Sequence, residues 1–471
     1  MKRPLFAIAI VLFASAWAAA HEIGDSVIVI REAQIKVGAN VVDQAYPGSE
    51  AQVGAINGDY LWVNFGKPGW IHKNNVVPLK DAIAYFTQQI RQNPSDELYQ
   101  SRAWVWLVLK NYDNALADIN EAIRRDPGAA ALYNDRGEIW IDEQEYDKAV
   151  ADFTRAIKME PTATSYTNRG EAWSHQGEHD LAISDFNAAL RLDPNNALTL
   201  NSRGLAWHRK GDYEKSISDF DRVIAIDPRN GYPFANRGDA REAQGEYDKA
   251  IADYNVAIRL QPKDAYNYNA RGYAWMGKEE SDKALADFDE AVRLDPQSPE
   301  GYSNRSWALR NKAEFARAIA EADRALAISP KSVSALVNRG KAFRISGQFE
   351  KALADFQQAL SVNPQDAAAF ESLAWLQATC PLERFRDGKS ALANAERANE
   401  IEGGKDAWTL DTLAAAYAET GDFAKAQEYE TQAVELLLHE HDKAECRERL
   451  ELYRESKPYR EKVKTQPSKA A

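Results

Sequence analysis

Eight arginines are each followed, sixteen positions further along the chain, by an acidic residue, and these two side-chain types can form bidentate ion pairs. The pairs are Arg102 with Asp118, Arg136 with Asp152, Arg169 with Asp185, Arg203 with Asp219, Arg237 with Asp253, Arg271 with Asp287, Arg305 with Glu321, and Arg339 with Asp355. A planar guanidinium that meets a carboxylate in this way suits partial burial. The constant interval therefore predicts an internal ladder of structural ion pairs. A row of arginines that faces a ligand is the alternative.

The histidines could serve in catalysis or metal binding, but their spacing favours neither. His175 and His179 are separated by Gly177, which marks a turn, so no common helix face is implied. His439 and His441 are two apart in a predicted helix and should point in different directions. The sequence contains neither a glycine-rich phosphate loop nor a nucleophile elbow. We therefore predict a protein that is not an enzyme and uses no metal or cofactor.

A period of 34 residues organises the segment that carries the arginines. Proline marks each period, at Pro127, Pro161, Pro194, Pro228, Pro262, Pro296, Pro330 and Pro364. Glycine, tryptophan, small and aromatic residues recur at fixed positions between the prolines, which predicts two antiparallel helices joined by a glycine-rich turn. The proline ends the second helix because it cannot continue the hydrogen-bond ladder. One such hairpin cannot bury its apolar face alone, so neighbouring hairpins must stack.

This pattern closely resembles the tetratricopeptide repeat (TPR) family. The resemblance implies a mainly α-helical solenoid, a superhelix of about ten helix-turn-helix repeats. The segment before the array predicts a small N-terminal β-barrel in addition. The expected parts are a lone helix over 81–95, eight repeats over 96–366, a ninth repeat with an insertion over 367–406, a tenth over 407–440, a capping helix over 441–460 and a disordered tail over 461–471. In the family, the first helices of the repeats line a concave groove that holds an extended peptide or a partner helix.

Residues 21–80 differ from the repeats and are typical of short β-strands separated by turns. The runs SVIVI, AQVGAI, YLWVNF and GWIHK alternate with the turn sequences YPGS, NGD and GKPG. This segment resembles a bacterial SH3-like barrel. Trp62 and Trp70 are expected in its core. Alternatively, Tyr60 and Trp62 form an aromatic surface for a cell-wall peptide or a proline-rich segment.

Asparagines near the start of the first helices are candidates for peptide binding in the groove that the resemblance implies. An asparagine amide both donates and accepts hydrogen bonds, so a ladder of them can hold an extended backbone with little sequence demand. A local hydrogen bond near the helix start is the alternative. Four of these asparagines share one position in the repeat, and three lie one position earlier: Asn168, Asn236, Asn304 and Asn338, and Asn134, Asn201 and Asn269.

The remaining groove positions change character along the array. Acidic residues, including Glu138 and Glu171, come first, aromatic residues follow, and basic residues come last. The aromatic and basic candidates are Tyr232, Tyr266, Tyr273, Trp307, Arg310, Lys341 and Arg344. Such a gradient fits a partner whose charge runs the opposite way. An ordinary solvated helix surface is the alternative for any one of these charges.

The first twenty residues have the organisation of a signal peptide. Lys2 and Arg3 precede the apolar stretch from Leu5 to Phe13, and small residues offer a cleavage site near Ala20. We therefore predict export, with a periplasmic or secreted mature protein. A retained anchor is the alternative, and no later segment is expected to span a membrane.

The composition limits the partners. The formal net charge of −13 argues against nucleic acid, which requires a basic surface. The two cysteines, Cys380 and Cys446, are expected in different repeats as free thiols, with a disulfide as the alternative. We predict an exported scaffold that binds a protein or peptide in its groove and makes a second contact through the SH3-like domain. The alternative is an adaptor that binds cell-wall peptidoglycan and presents cargo on its repeats.

Overall fold

The computed structural model describes residue 22 and residues 24–64, 67–437 and 439–463. The predicted signal peptide and residues 464–471 of the predicted tail lie outside these residues. The chain divides into two compact bodies, of which the first ends at Ile226 and the second begins at Asp227. Within the described residues, no helix is both long enough and apolar enough to cross a membrane. Cys380 and Cys446 are buried free thiols, as predicted.

The first body begins with two small antiparallel sheets. Their strands are β1 Ser26–Val29, β2 Ala33–Val37, β3 Asn40–Ala45, β4 Glu50–Gln52, β5 Ala55–Asn57, β6 Tyr60–Asn64, β7 Pro68–His72 and β8 Val76–Pro78. The strand orders are β4-β1-β8 and β3-β2-β7-β6-β5. Three strands, β2, β3 and β8, were not among the predicted runs, because charged outward-facing residues interrupt the apolar pattern of β2 and β3. The predicted antiparallel β region is confirmed, whereas the SH3-like barrel stays a prediction.

Nine helices complete the described part of the first body. They are α1 Leu79–Gln92, α2 Asp96–Val108, α3 Tyr112–Arg125, α4 Ala130–Asp142, α5 Tyr146–Met159, α6 Ala163–His175, α7 His179–Leu192, α8 Ala197–Arg209 and α9 Tyr213–Ile226. Helix α1 packs on β1 and β8, where Ile28, Val77 and Phe86 are buried in one apolar cluster. The sheets are thereby joined to the first helices of the array.

All regular secondary structure in the described residues of the second body is helical. Its helices are α10 Tyr232–Ala243, α11 Tyr247–Leu260, α12 Ala265–Gly277, α13 Ser281–Leu294, α14 Pro299–Asn311, α15 Phe315–Ile328, α16 Val333–Ile345, α17 Phe349–Val362, α18 Ala367–Thr379, α19 Gly388–Ile401, α20 Ala407–Thr420, α21 Phe423–Leu436 and α22 Glu440–Arg454. Except for α22, these helices pair in chain order as α10 with α11 and so on to α20 with α21. The predicted mainly α-helical solenoid is confirmed.

The two helices of a repeat approach closely because glycine on the first helix faces an aromatic ring on the second. A Cβ added at Gly137 would lie 2.5 Å from the ring of Phe153, and one at Gly204 would lie 2.8 Å from the ring of Phe220. Both rings are fully buried. The recurring aromatic position therefore fills the space inside a repeat, where contact with the glycine leaves no room for a side chain.

Candidate functional site

The arginine–carboxylate ladder is present, and it is structural. Arg136 donates to both carboxylate oxygens of Asp152, from Nε at 2.7 Å and from Nη2 at 2.6 Å. Its Nη1 donates to Asn120 of the preceding repeat at 2.6 Å. The same bidentate contact occurs in every predicted pair except that of Arg305, whose Nη1 lies 3.3 Å from Glu321. The ladder thus connects the helices of one repeat and also successive repeats.

The asparagines of the first body lie on the first helices of their repeats, where the hydrogen bonds of two of them join neighbouring repeats. Asn134 on α4 donates to Ser165 Oγ at 2.8 Å, and Asn168 on α6 donates to Glu138 at 2.9 Å. Asn201 is half-buried on α8. These bonds differ from the local bonding that was the alternative. Binding of a peptide backbone by these asparagines stays a prediction.

The asparagines of the second body are more deeply placed. Asn304 on α14 is buried and donates to the buried Asn269 on α12 at 3.3 Å. Asn338 on α16 donates to Ser303, to its Oγ at 3.1 Å and its carbonyl oxygen at 3.2 Å. Asn236 is half-buried on α10. A ligand would have to compete with these repeat–repeat bonds to reach Asn304 or Asn338.

The predicted aromatic residues remain accessible on the first helices of the second body. Tyr232 and Tyr266 are exposed, and the hydroxyl of Tyr266 donates to Asp239 at 2.6 Å. Tyr273 places its ring centroid 5.4 Å from that of Trp307. Aromatic rings held in this way offer contact area to a ligand at a low entropic cost.

The predicted basic residues Arg310, Lys341 and Arg344 lie on α14 and α16 and form what we call the basic groove cluster. Lys341 forms an ion pair of 2.8 Å with Glu371 on α18. Burial and the neighbouring Arg344 lower the pKa of the Arg310 guanidinium to about 10. Its Nε is buried without a hydrogen-bond partner among the described residues. Arg310 is therefore a cation that the described carboxylates do not neutralise directly.

A segment from the end of the chain lies against this cluster. Residues 459–463, which we call the C-terminal segment, follow α22 without regular secondary structure. The Glu461 carboxylate forms an ion pair with Arg344, and its backbone N–H donates to the Thr379 carbonyl at 2.9 Å. Tyr459 places its ring centroid 6.0 Å from that of Trp375 on α18. The segment therefore contacts the side of α16 and α18 that the TPR resemblance assigns to the groove.

The position of the C-terminal segment differs from the predicted end of the array. The capping helix ends at Arg454, not at residue 460, because Ser456 adopts a left-handed conformation with φ of 55°. Residues 461–463, predicted to belong to a disordered tail, are in contact with α16 and α18. Arg460 also forms an ion pair of 2.7 Å with Glu419 on α20. Glu371 and Trp375 occupy groove positions of the ninth repeat, and the repeat register was the signal that could have found them.

Acidic side chains line the first helices of the first body. Burial, and then the charge of Asp135, raise the pKa of Glu138 to about 7. Burial also raises the pKa of Asp135 to about 6 and that of Glu171 above its usual range. Each accepts a hydrogen bond, for example Glu171 from Ser202 at 3.1 Å. Three carboxyl groups therefore lie on neighbouring first helices of the first body, and their raised pKa values reduce their negative charge at neutral pH.

A buried ion cluster beneath the capping helix was not predicted. Arg449 on α22 donates to both carboxylate oxygens of Asp411 on α20, at 2.8 and 3.0 Å. It also lies 3.3 Å from Glu430 and donates to the sulfur of Cys446 at 3.0 Å. Burial and the charge of Asp411 raise the pKa of Glu430 well above its usual range. The guanidinium supplies the cation here, so this acidic group has no need of a metal.

The β region carries an aromatic strip on β6 and β7. Trp62 pairs with Trp70 and Tyr60 with His72 across the two strands, with ring centroids 5.2 and 5.1 Å apart. The apolar core is made instead by residues such as Leu61, which point to the opposite face. The expectation that both tryptophans belong to the core is therefore wrong. Their half-buried strip matches the alternative of an aromatic surface.

The stacked helix pairs and their first-helix surface define an α-solenoid repeat protein. Sequence profiles described as tetratricopeptide repeat match residues 79–130, 134–197, 185–231, 235–299 and 269–333, and a second such profile matches 333–366. These matches cover more than half of the chain, which therefore belongs to the tetratricopeptide repeat family. Proteins of this family generally mediate protein–protein interactions, including peptide binding.

Solved structures of repeat proteins are also similar to the chain. A tetratricopeptide repeat protein from Parabacteroides merdae is 18% identical and covers 55% of this chain and 99% of its own, with a TM-score of 0.44. Yeast Tom70 is 13% identical and covers 80% of this chain and 92% of its own, with a TM-score of 0.46. YrrB, described as a TPR protein with an unusual peptide-binding site, is 23% identical and covers 39% of this chain and 95% of its own, with a TM-score of 0.33. No curated protein sequence matches the chain significantly.

Proposed function

We propose that this protein is a non-catalytic, exported scaffold whose second body binds an extended peptide of a partner protein that presents an aromatic ring and a carboxylate. The peptide would lie across α14, α16 and α18, at the basic groove cluster. The observation that carries the proposal is the C-terminal segment, which already occupies part of this surface. It combines an aromatic ring against Trp375 with a carboxylate on Arg344. A partner peptide would use the same two features and displace the segment.

Charge supports a carboxylate in the bound peptide. The basic groove cluster has three cations, and two carboxylates face it, those of Glu371 and Glu461. Removal of the C-terminal segment would leave Arg344 and Arg310 without a direct carboxylate partner. A buried guanidinium without a partner is costly, so an incoming carboxylate is favoured there. Backbone groups such as the Thr379 carbonyl add contacts that any peptide sequence can make.

The proposal predicts that the chain's own segment competes with added peptide. A synthetic peptide of residues 457–463 is titrated into the full-length protein and into a variant with Tyr459→Ser and Glu461→Lys, with fluorescence anisotropy as the readout. We expect at least about a tenfold tighter Kd for the variant, since a tethered segment has a high effective concentration at the groove. Adding Arg344→Ala to the variant should remove the gain.

A matched control is Lys462→Ala, because Lys462 belongs to the same segment and its side chain is exposed. This variant should bind the peptide as the wild type does. Circular dichroism of each variant checks that the helices are retained. Equal affinity of the wild type and the Tyr459 and Glu461 variant for the peptide would contradict the proposal.

Export is part of the proposal and depends on the first twenty residues. Lys2 and Arg3 followed by an apolar stretch and small residues near Ala20 support a cleaved signal peptide. Intact mass measurement of the protein from a cell envelope fraction tests it. The expected mass corresponds to a chain that begins near His21, and a chain that retains residue 2 would contradict cleavage.

We also propose a second contact through the β region, at the aromatic strip of Tyr60 and Trp62. Two weak sites on one chain raise overall affinity for a partner that reaches both. The strip also suits the alternative function, an adaptor that binds cell-wall peptidoglycan. Co-sedimentation of the full-length protein with purified peptidoglycan distinguishes the scaffold from the cell-wall adaptor. Retention that is lost on Tyr60→Ser with Trp62→Ser favours the adaptor, and no retention excludes it.

A further inference from the structure

Two histidines and two carboxylates from distant parts of the second body meet at one place. They are Glu279, in the turn between α12 and α13, and His439, His441 and Asp442, at the start of α22. We call these four residues the turn–cap cluster. His439 is the residue before the first turn of α22 and has an extended backbone, so it does not continue the helix. That conformation lets both histidines face Glu279, contrary to the expectation that they diverge.

The donor atoms are spaced as ligands of one metal ion are. The Nε2 atom of His441 lies 3.4 Å from Glu279 Oε1 and 3.1 Å from Asp442 Oδ1. The Nδ1 atom of His439 lies 3.6 Å from the same Glu279 oxygen. A tetrahedral ion with bonds of about 2.0–2.1 Å has ligand atoms roughly 3.3 Å apart. The donor atoms of Glu279, His441 and Asp442 all lie within 4.8 Å of one another, so these three groups are close to the required size, whereas His439 lies outside this group of three and approaches only Glu279.

The hydrogen bonding of His439 adds an independent observation. Its Nε2 lies 3.2 Å from the carbonyl oxygen of Gly277. A carbonyl oxygen only accepts, so Nε2 carries a proton, and Nδ1 is the ring nitrogen that would bind a metal ion. Metal-bound histidines typically donate their second N–H to such a group, which fixes the ring. The two carboxylates of Glu279 and Asp442 would balance the charge of a divalent cation.

We propose that the turn–cap cluster binds one divalent zinc-class metal ion and thereby clips the capping helix α22 to the turn after α12. Imidazole nitrogen and carboxylate oxygen form a donor set that suits zinc. The ligands lie about 160 residues apart in sequence. The bound ion would thus restrain a long stretch of the second body, independently of any peptide in the groove.

Zinc binding to the full-length protein, prepared with chelator and without a histidine tag, tests the proposal. Isothermal titration with zinc chloride should give one site per chain, and zinc should raise the thermal midpoint. Cobalt(II) chloride should give the visible absorption of a tetrahedral ion. Zinc that binds without a defined stoichiometry, or cobalt that stays octahedral, would overturn the proposal.

The most informative variant is Glu279→Gly, because Glu279 has a left-handed backbone with φ of 62° that glycine adopts without strain. This variant should fold at least as well as the wild type and bind zinc at least about tenfold more weakly. His441→Ala should have the same effect on zinc binding. His208→Ala, a histidine of the first body, is the control and should bind zinc normally. Unchanged zinc affinity in folded Glu279→Gly protein would refute the site.

Discussion

The carboxylate of Asp185 accepts hydrogen bonds from Nε and Nη2 of Arg169, both at 2.7 Å. Nη1 of the same arginine donates to Thr154 of the preceding repeat at 3.0 Å. One side chain thus connects the two helices of its own repeat with the repeat before it. The energetic role of the ladder follows from this geometry, since removal of the arginine affects two interfaces.

Loss of one ladder arginine should be far more costly than loss of a surface pair. Arg136→Met leaves the nearly buried carboxylate of Asp152 without its cation, which should lower the free energy of unfolding by about 3–5 kcal/mol. Lys148→Ala removes an exposed ion pair with Glu145 and should cost about 0–1 kcal/mol. Urea denaturation compares the two. An equal loss in the free energy of unfolding for the two variants would show that the ladder does not stabilise the array.

A methyl group at Gly137 should destabilise the second repeat. Helix propensity alone favours alanine over glycine by about 1 kcal/mol. The added Cβ would lie 2.5 Å from the ring of Phe153, however, and such overpacking costs about 1–3 kcal/mol. We expect Gly137→Ala to lower the thermal midpoint and Phe153→Leu to restore part of the loss in the double variant. A higher midpoint in the single variant would contradict the close helix contact.

Glu138 should make the first body more stable as the pH falls. Burial and the charge of Asp135 raise the pKa of Glu138 to about 7, so the folded state binds a proton that the unfolded state releases. This contribution is complete below about pH 4.3, the usual value for glutamate, and is lost as the pH rises through 7. Glu138→Gln should raise the thermal midpoint at pH 8 and have little effect at pH 5. A variant that melts like the wild type at pH 8 would contradict the raised pKa.

Arg449 should be essential to the attachment of the capping helix. Arg449→Met leaves Asp411 and Glu430 buried without a cation, at a cost of about 3–5 kcal/mol. The loss of stability should be smaller at pH 5 than at pH 8, because the unpaired carboxyl groups of Asp411 and Glu430 take up protons at the lower pH. Hydrogen exchange of α22 measures the effect locally. Unchanged protection of α22 at pH 8 would show that this cluster does not fasten the helix.

The features that the sequence predicted well are those repeated at a fixed interval. The helix pairs and the Arg136–Asp152 type of contact recur every 34 residues, so one repeat reports on the others. The candidate asparagines were harder to interpret. Asn134 and Asn338 share helix faces with groove residues, but their partners come from the adjacent repeat, and that contact depends on how closely first helices stack.

Contacts outside the period could not be predicted in this way. The C-terminal segment meets Arg344 across more than a hundred residues, and His439 meets Gly277 across 162. Such long-range contacts depend on the path of the whole second body, so no local pattern in the sequence predicts them. The tryptophans of β6 and β7 show a further difficulty, since alternation alone does not say which face of a strand is covered.

The ladder also bears on how this array can change in length. Each arginine takes one partner from its own hairpin and another from the equivalent place in the hairpin before it, as Arg136 does with Asp152 and Asn120. Deletion or duplication of one complete 34-residue unit within the first body would therefore recreate the same junction. Gain or loss of whole units is thus structurally inexpensive there, whereas in the second body it would also displace the contacts of Glu461 with Arg344 and of His439 with Gly277.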